Sequence, residues 1–438
     1  MKKFTKLFVL TVFVLSIVAA CFVGCDKNDG FVDYVSQLTL DMESTSLKEE
    51  VTVRNYVDGD TTHFYISKSA VSTGVMKARY LAINTPESTG RIEDYGKAAS
   101  NFTKEKLKSA TSIIVESDDE NWNTDSNGRH LVWIWYRTSD DAQYRNLNLE
   151  ILQNGLAIAS NTAQNRYGDI CINALNQAEK KKLNVFSGNP DPDMYHGEAQ
   201  ELTLKELRCN IESYSGIKVA FEGVVAVNSG GSIYVEEYDE DSGVYFGMPV
   251  YYGTANLSSS GRNIISTGNR VRIVGTVQYY ETGGTWQISG IQYKPRDPQD
   301  PNNIQKISDG HAGAYPLVDA DTFLGKITIV TSDDDNVEMD YAQAALNSTI
   351  RMNDLTVVSV YTTKDPASSS VGAMTLTCKT ADGQTISVRT TVFHDENGVL
   401  ITEDAYKGKT INVKGIVDYF DGKYQIKVFA PENITIAE

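Results

Sequence analysis

Basic residues are in deficit: 40 Lys and Arg stand against 57 Asp and Glu in 438 residues, a net charge of −17 at pH 7. Attraction of the whole chain to nucleic acid is excluded, because phosphate binding rests on an excess of Lys and Arg. A polyanionic substrate must therefore be recognised locally. Cysteine is also scarce. Cys21 and Cys25 lie near the N-terminus, and only Cys171, Cys209 and Cys378 remain, widely separated, in the body. That excludes a disulfide framework and the paired spacing of a zinc site. The five histidines, His63, His130, His196, His311 and His394, show no ligand spacing either. Beyond residue 20 no apolar run approaches the roughly 20 residues that a membrane span needs.

What is present is a globular composition, 41% hydrophobic and 10% aromatic, in a chain long enough for two to four domains at roughly 100 to 200 residues each. The N-terminus reads MKK, an apolar run over residues 7–20, then AACFVGCDKNDG. A charged start, an apolar stretch and small residues before a cysteine are similar to a bacterial lipoprotein signal peptide. Cys25 is the expected lipidation site because the polar DKND follows it directly, with Cys21 the other candidate. An uncleaved anchor or a simple secretory signal is the alternative. The body is expected outside the cytoplasm, at the cell surface and tethered to the membrane through the lipid.

Along the body, VTVRNYV, THFYIS, KARYLAI, SIIVES and HLVWIWY (within residues 51–136) are rich in β-branched and aromatic residues and read as strands, with Asp58-Gly59 as a turn. YGKAASNFTKEKLKSA, NLNLEILQNG and DICINALNQAEKKKL read as helices, the last placing Cys171 on an apolar face as an inert thiol. GNPDPD at 188–193 marks a boundary. Beyond it the chain is rich in Gly, Ser, Thr, Tyr and Val. Residues 268–292 and 408–432 share a G-x-x-[apolar]-x-[apolar]-x-G-x-V-x-Y pattern, as diverged copies would. OB-type five-stranded barrels suit these copies, Gly275 and Gly415 permitting the strand bend a small barrel needs; a pair of β-sandwiches has the same statistics. The expected division is a signal peptide (1–25), a polar spacer (26–45), an α+β first domain (46–190), OB-like barrels at 200–296 and 317–438, and a linker (297–316). The fold class is mainly β.

The residues that carry chemistry lie in the first domain: DGDT (58–61), RYLAINTPE (79–87), YGKAA (95–99) and DSNGR (125–129). Each alone is an ordinary turn or helix start. Together they supply hard oxygens of the kind calcium takes, from Asp60, Asn84 and Thr85, and the planar forks of Arg79 and Arg129, which suit a phosphate. Glu87 adds a carboxylate able to accept a proton from an attacking water. The acidic runs Asp118-Asp119-Glu120, Asp239-Glu240-Asp241 and Asp333-Asp334-Asp335 read as solvated turns.

At these positions the chain resembles the staphylococcal nuclease (thermonuclease) family. VDGDT, RYLAINTPE, YGKAASNFTK, DSNGRHLVWIW, NGLAIAS and KKKLNVFSG follow one another in the family's order over residues 51–187. The resemblance implies a five-stranded barrel with three helices that hydrolyses DNA and/or RNA with calcium, leaving 3′-phosphate ends. It also implies catalytic roles for Arg79, Glu87 and Arg129, and metal ligation by Asp60 and the Thr85 carbonyl. Two positions depart from the pattern. Asn84 stands where the family has a metal-binding Asp, and Asn127 where it has an aromatic residue that packs on the substrate. A catalytically impaired surface lipoprotein that binds nucleic acid or another polymer is the alternative reading. Tyr279, Tyr280, Trp286, Tyr419, Phe420 and Tyr424 offer base-stacking faces on the C-terminal barrels, half of them expected to turn inward. No protein partner is expected.

Overall fold

The computed structural model describes residues 30–88, 92–253, 257–281, 283–331, 336–366 and 368–437. The leader with Cys21 and Cys25, and the run Asp333-Asp334-Asp335, lie outside the described residues. Among the described residues no helix is long and apolar enough to cross a membrane.

The first domain runs β1 (Lys48–Asp58), β2 (Thr61–Tyr65), β3 (Val75–Tyr80), β4 (Ile83–Asn84), α1 (Gly96–Lys108), β5 (Ser112–Ser117), β6 (His130–Arg137), β7 (Arg145–Asn146), α2 (Leu147–Gln153), β8 (Ile158–Ala159) and α3 (Gly168–Lys181). Antiparallel pairing of β1 with β2 and β5, of β2 with β3 and of β5 with β6, plus a parallel β3–β6 contact, closes a five-stranded barrel. Strand β6 is buried from Val132 to Tyr136 rather than alternating, because α2 covers its outer side. Asn148 of α2 locks that packing by accepting from Ile134 N and donating to the carbonyls of Leu81 and Val132.

The second domain adds β9 (Gln200–Glu201), α4 (Leu204–Cys209), β10 (Lys218–Asn228), β11 (Ser232–Asp239), β12 (Val244–Tyr251), β13 (Arg270–Tyr280), β14 (Thr285–Ser289) and β15 (Gln305–Ser308). The third holds a hairpin, β16 (Lys326–Val330) and β17 (Asn336–Asp340), then β18 (Thr349–Thr362), β19 (Met374–Lys379), β20 (Thr385–Thr390), β21 (Thr410–Phe420), β22 (Lys423–Val428) and β23 (Ile434–Ile436). Both repeat the first barrel's cyclic order, β10-β11-β12-β14-β13 and β18-β19-β20-β22-β21, with β12–β14 and β20–β22 as the parallel contacts. The architecture is therefore mainly β, with OB-type barrels in place of sandwiches. Gly275 and Gly415 lie where a Cβ would come within 2.8 Å of the Ser289 carbonyl and 2.4 Å of the Lys427 carbonyl. The shared glycine thus admits close strand approach at the barrel seam.

Two local expectations change. Residues 77–83 do not form one strand: β3 ends at Tyr80, Ala82 turns at φ +68°, and Ile83-Asn84 leaves the barrel to pair with β8. Hydrogen bonds from Tyr80 N to the Asp60 carbonyl and from Leu81 N to the Val132 carbonyl hold that departure. Gln305–Ser308, inside the segment expected to link the C-terminal barrels, instead pairs with β13. Ile304, wholly buried beside it, supplies the apolar anchor that draws the segment onto the sheet.

The C-terminal barrels share one hydrophobic core, separate from that of the first domain. Polar clamps join them. Buried Arg208 donates to the carbonyls of Gly247 and Leu346 and to Asn347 Oδ1. Glu236 accepts from Ala314 N, Thr349 N and the Thr349 hydroxyl at 2.7–3.0 Å. A Cβ at Gly247 would lie 2.2 Å from the Asn347 carbonyl carbon and from Ser348 N. Gly247→Ala is thus expected to wedge the barrels apart and cost about 1–3 kcal/mol, read as a lowered melting temperature of the full chain. An unchanged melting temperature would show that the barrels are not joined at this point.

Candidate active site

The turn between β1 and β2 carries the first acidic group. Gly59 is required there, because a Cβ would come within 2.9 Å of Ala99 and of the Thr85 side chain. The Thr103 hydroxyl of α1 donates to the Gly59 carbonyl at 2.6 Å. With the turn held between α1 and Thr85, Asp60 is 1% exposed. Its Oδ2 accepts from Thr85 N at 2.8 Å, and its Oδ1 accepts from the Thr61 hydroxyl at 3.0 Å and from Arg79 Nη1.

Arg79 lies opposite Thr61 across the β2–β3 pair. Its second terminal nitrogen, Nη2, donates to Asn84 Oδ1 at 2.5 Å, so one guanidinium spans Asp60 and Asn84. Burial, then the nearby Arg129 charge, pushes Arg79 down to about 10, opposed by Glu87, Asp58 and Asp125. At neutral pH it remains a cation.

Arg129 reaches the same place through the parallel β3–β6 contact, which sets the start of β6 beside Arg79. The turn before it, with Gly128 at φ +71°, folds over Asp125. Asp125 accepts from Arg129 N at 2.9 Å and from Nε at 2.8 Å, and its Oδ2 pairs with the Nη2 charge at 2.7 Å. Although burial pushes the other way, these bonds hold the Asp125 carboxyl below its usual range. Nη1 of Arg129 makes no hydrogen bond among the described residues, which leaves part of the fork open to a ligand.

Glu87 closes the arrangement. Its amide donates to Glu93 Oε2 at 3.1 Å while Glu93 N donates to the Glu87 carbonyl at 2.9 Å, a reciprocal clasp around the loop. Gly96 is needed beneath it, since a Cβ there would lie 2.2 Å from the Glu87 carbonyl oxygen. Desolvation of the carboxyl, then the negative charge of Asp58, pushes Glu87 up to about 7, against the pull of Arg79. Asp58 is itself positioned by Ser88, whose hydroxyl donates to Asp58 Oδ1 at 2.7 Å.

Asp60, Arg79, Asn84, Thr85, Glu87 and Arg129 are therefore brought together. Cys171 and Cys378 are apart from the site, wholly buried, their thiols pushed up to about 12 by desolvation. Three contributors escaped the sequence reading. Asp58 was read only as part of a turn, and its pairing with Glu87 joins residues far apart in the chain. Asp125 and Ser88 likewise show their roles only as partners.

The donor set suits a hard cation. Asp60 Oδ1 and Asn84 Oδ1 converge on one positive group, the Arg79 guanidinium, and the buried Thr85 Oγ1 has no hydrogen-bond partner. Among the described residues no cluster of three His, Cys, Asp or Glu could hold a metal, and Asn84 supplies an amide oxygen in place of a carboxylate. An open groove of about 330 Å³, lined by Asn84, Pro86, Tyr95, Ile158 and Val185, runs alongside.

A family model described as staphylococcal nuclease homologue matches residues 77–188, a span that contains Arg79, Asn84, Thr85, Glu87 and Arg129. A thermonuclease from Staphylococcus intermedius is 32% identical over 142 residues, 32% of this chain and 76% of that protein. The chain belongs to the staphylococcal nuclease family. Membership gives the first barrel a nuclease frame, and the arrangement fits it chemically: two cationic forks face a space flanked by a carboxyl of raised pKa. A phosphodiester carries its charge where the forks point, and its hydrolysis calls for a proton acceptor nearby. The C-terminal barrels lie beyond the matched residues.

Proposed function

We propose that the protein is an exported, lipid-anchored, calcium-dependent endonuclease that cuts phosphodiester bonds of DNA and/or RNA to leave 3′-phosphate and 5′-hydroxyl ends. The observation that carries this reading is the convergence of Arg79 and Arg129 with Glu87 in a nuclease-family barrel. In this reading the two guanidinium groups hold the scissile phosphate and neutralise charge as it builds on the non-bridging oxygens. Glu87, in its carboxylate form, accepts the proton of a water attacking phosphorus. The bond from phosphorus to the 5′-oxygen breaks with its electron pair going to that oxygen, which takes a proton from solvent water, while Glu87 returns its proton to solvent. Asp58 raises the proton affinity of Glu87, while Asp125 and Asp60 orient the two arginines. Calcium, held by Asp60, Asn84 and the Thr85 carbonyl, would add positive charge at the phosphate. The overall charge of −17 is no obstacle, since the site supplies its own cations.

Asn84 supports a second reading, a protein that binds nucleic acid without cutting it. Its amide brings one fewer negative charge to the cation, and its oxygen is engaged by Arg79. A calcium titration of cleavage with the full mature chain separates the two. Cleavage of single-stranded DNA is expected at millimolar calcium. Asn84→Asp should lower the calcium needed about tenfold, because affinity follows ligand charge. Absence of cleavage in both forms, with nucleic acid still bound, would establish the binder.

A further inference from the structure

We propose that the β13–β14 hairpin of the second barrel completes the nuclease cleft, and that Tyr280 is a stacking platform for a base of the single strand running past Glu87. The proposal rests on the nuclease reading and extends it to a second domain. Its basis is a contact across two domains: Gln278 Nε2 of β13 donates to the carbonyl of Ser88 at 2.8 Å. Ser88 directly follows Glu87 and holds Asp58. The hairpin therefore touches the segment that carries the proposed base. A second anchor lies beyond Tyr280, where Glu281 pairs with Lys104 of α1.

Strand geometry orients what lies between these anchors. Side chains two residues apart share a face and stand about 7 Å apart, so Tyr280 shares the side of Gln278 that meets the first domain. Yet Tyr280 is 45% exposed. Its ring is therefore not consumed by the contact and keeps an open face on the strand side that carries Gln278. Close packing over Gly283, where a Cβ would lie 2.5 Å from Tyr280 Cδ1, restrains the ring. On the opposite side of the strand, Tyr279 packs against Trp286 with ring centroids 5.1 Å apart, which stiffens the hairpin.

Charge decides what this flank accepts. Glu281 makes the hairpin's flank acidic, and Lys104 is spent on pairing with it. Phosphate is repelled there, whereas a neutral base is not, and stacking on an aromatic face tolerates any base.

The test uses the full mature chain at saturating calcium and a short single-stranded oligonucleotide with one cleavable phosphodiester. The oligonucleotide is either intact or abasic at positions one and two nucleotides to each side. Tyr280→Ala should raise KM about tenfold on the intact strand and leave it little changed on the strand abasic at the stacked position. Tyr280→Trp should restore the intact-strand KM. A KM raised equally on intact and abasic strands, or on neither, overturns the platform. A binding readout independent of cleavage is photo-crosslinking of an uncleavable strand carrying 5-iodouracil. Crosslinking to the peptide containing Tyr280, together with no cleavage of the cleavable oligonucleotide, would end the nuclease reading and keep the platform. Cleavage with no such crosslink would do the reverse.

Discussion

Arg129→Ala is expected to lower kcat on the order of 10² or more, the usual loss when one preorganised charge is removed from a developing oxyanion. The protein should remain folded, because Arg129 is only half-buried and its partner Asp125 sits in an exposed turn. Lysine should not restore the rate. It keeps the charge but loses the planar fork that bonds Asp125 through Nε and Nη2 while leaving Nη1 for the phosphate. Single-turnover kinetics with circular dichroism as a folding control measure this. A loss below threefold would remove Arg129 from the reaction. Arg79→Ala should behave differently, losing stability as well as rate. Asp60, 1% exposed, would be left as a buried charge without its cation, and breaking such a pair costs about 3–5 kcal/mol. The two arginines are thus distinguishable although both face the same space.

Glu87→Gln is expected to lower kcat by about 10² to 10⁴, the range for loss of a general base, with little change in folding because the residue keeps part of its surface in solvent. Its pH dependence carries a sign. The carboxyl is pushed up to about 7 by desolvation and by Asp58, and only the deprotonated form accepts a proton. The wild-type rate should therefore fall as pH drops through that region. A bound cation would draw the midpoint downward, so the acid limb should lie at or below pH 7. The glutamine variant should lack this limb. Asp58→Asn should move it to lower pH, since removing a neighbouring negative charge makes Glu87 more acidic. A wild-type profile flat from pH 5 to 8, or an acid limb retained in the glutamine variant, would assign the proton to another group.

Local patterns in the chain carried far. Alternating β-branched and aromatic residues marked most of the barrel strands, and three amphipathic stretches marked the helices, because side-chain periodicity is a local property. The repeated glycine at 275 and 415 pointed to bent strands of a small barrel, and the structure shows why: each lies against the backbone of the adjoining strand. Where the pattern misled, long-range partners were responsible. The stretch 77–83 has unbroken strand composition, yet the chain turns at Ala82 because Leu81 bonds to β6 and Ile83-Asn84 pairs with β8. The Pro- and Asp-rich stretch after Lys294 looked like a spacer, but Ile304 and the pairing of β15 draw its end onto the second barrel.

Of the aromatic residues on the C-terminal barrels, Tyr279, Tyr280 and Phe420 are exposed, while Trp286 and Tyr424 pack against the core. Alternation did not foretell that division, since the neighbours Tyr279 and Tyr280 are both exposed and Tyr279 shares a face with Trp286. By itself the chain's order of residues established the deficit of positive charge and the ligand types available, and it singled out Arg, Glu and Asp candidates for a nuclease-like site. Only the tertiary structure decided that Asp58 raises Glu87, that Asp60 and Asn84 share one guanidinium, and that Gln278 brings a second barrel to Ser88. The physical reason is that charge and periodicity are written in neighbouring residues. The energy of a buried or crowded group depends on whatever distant segment folding sets beside it.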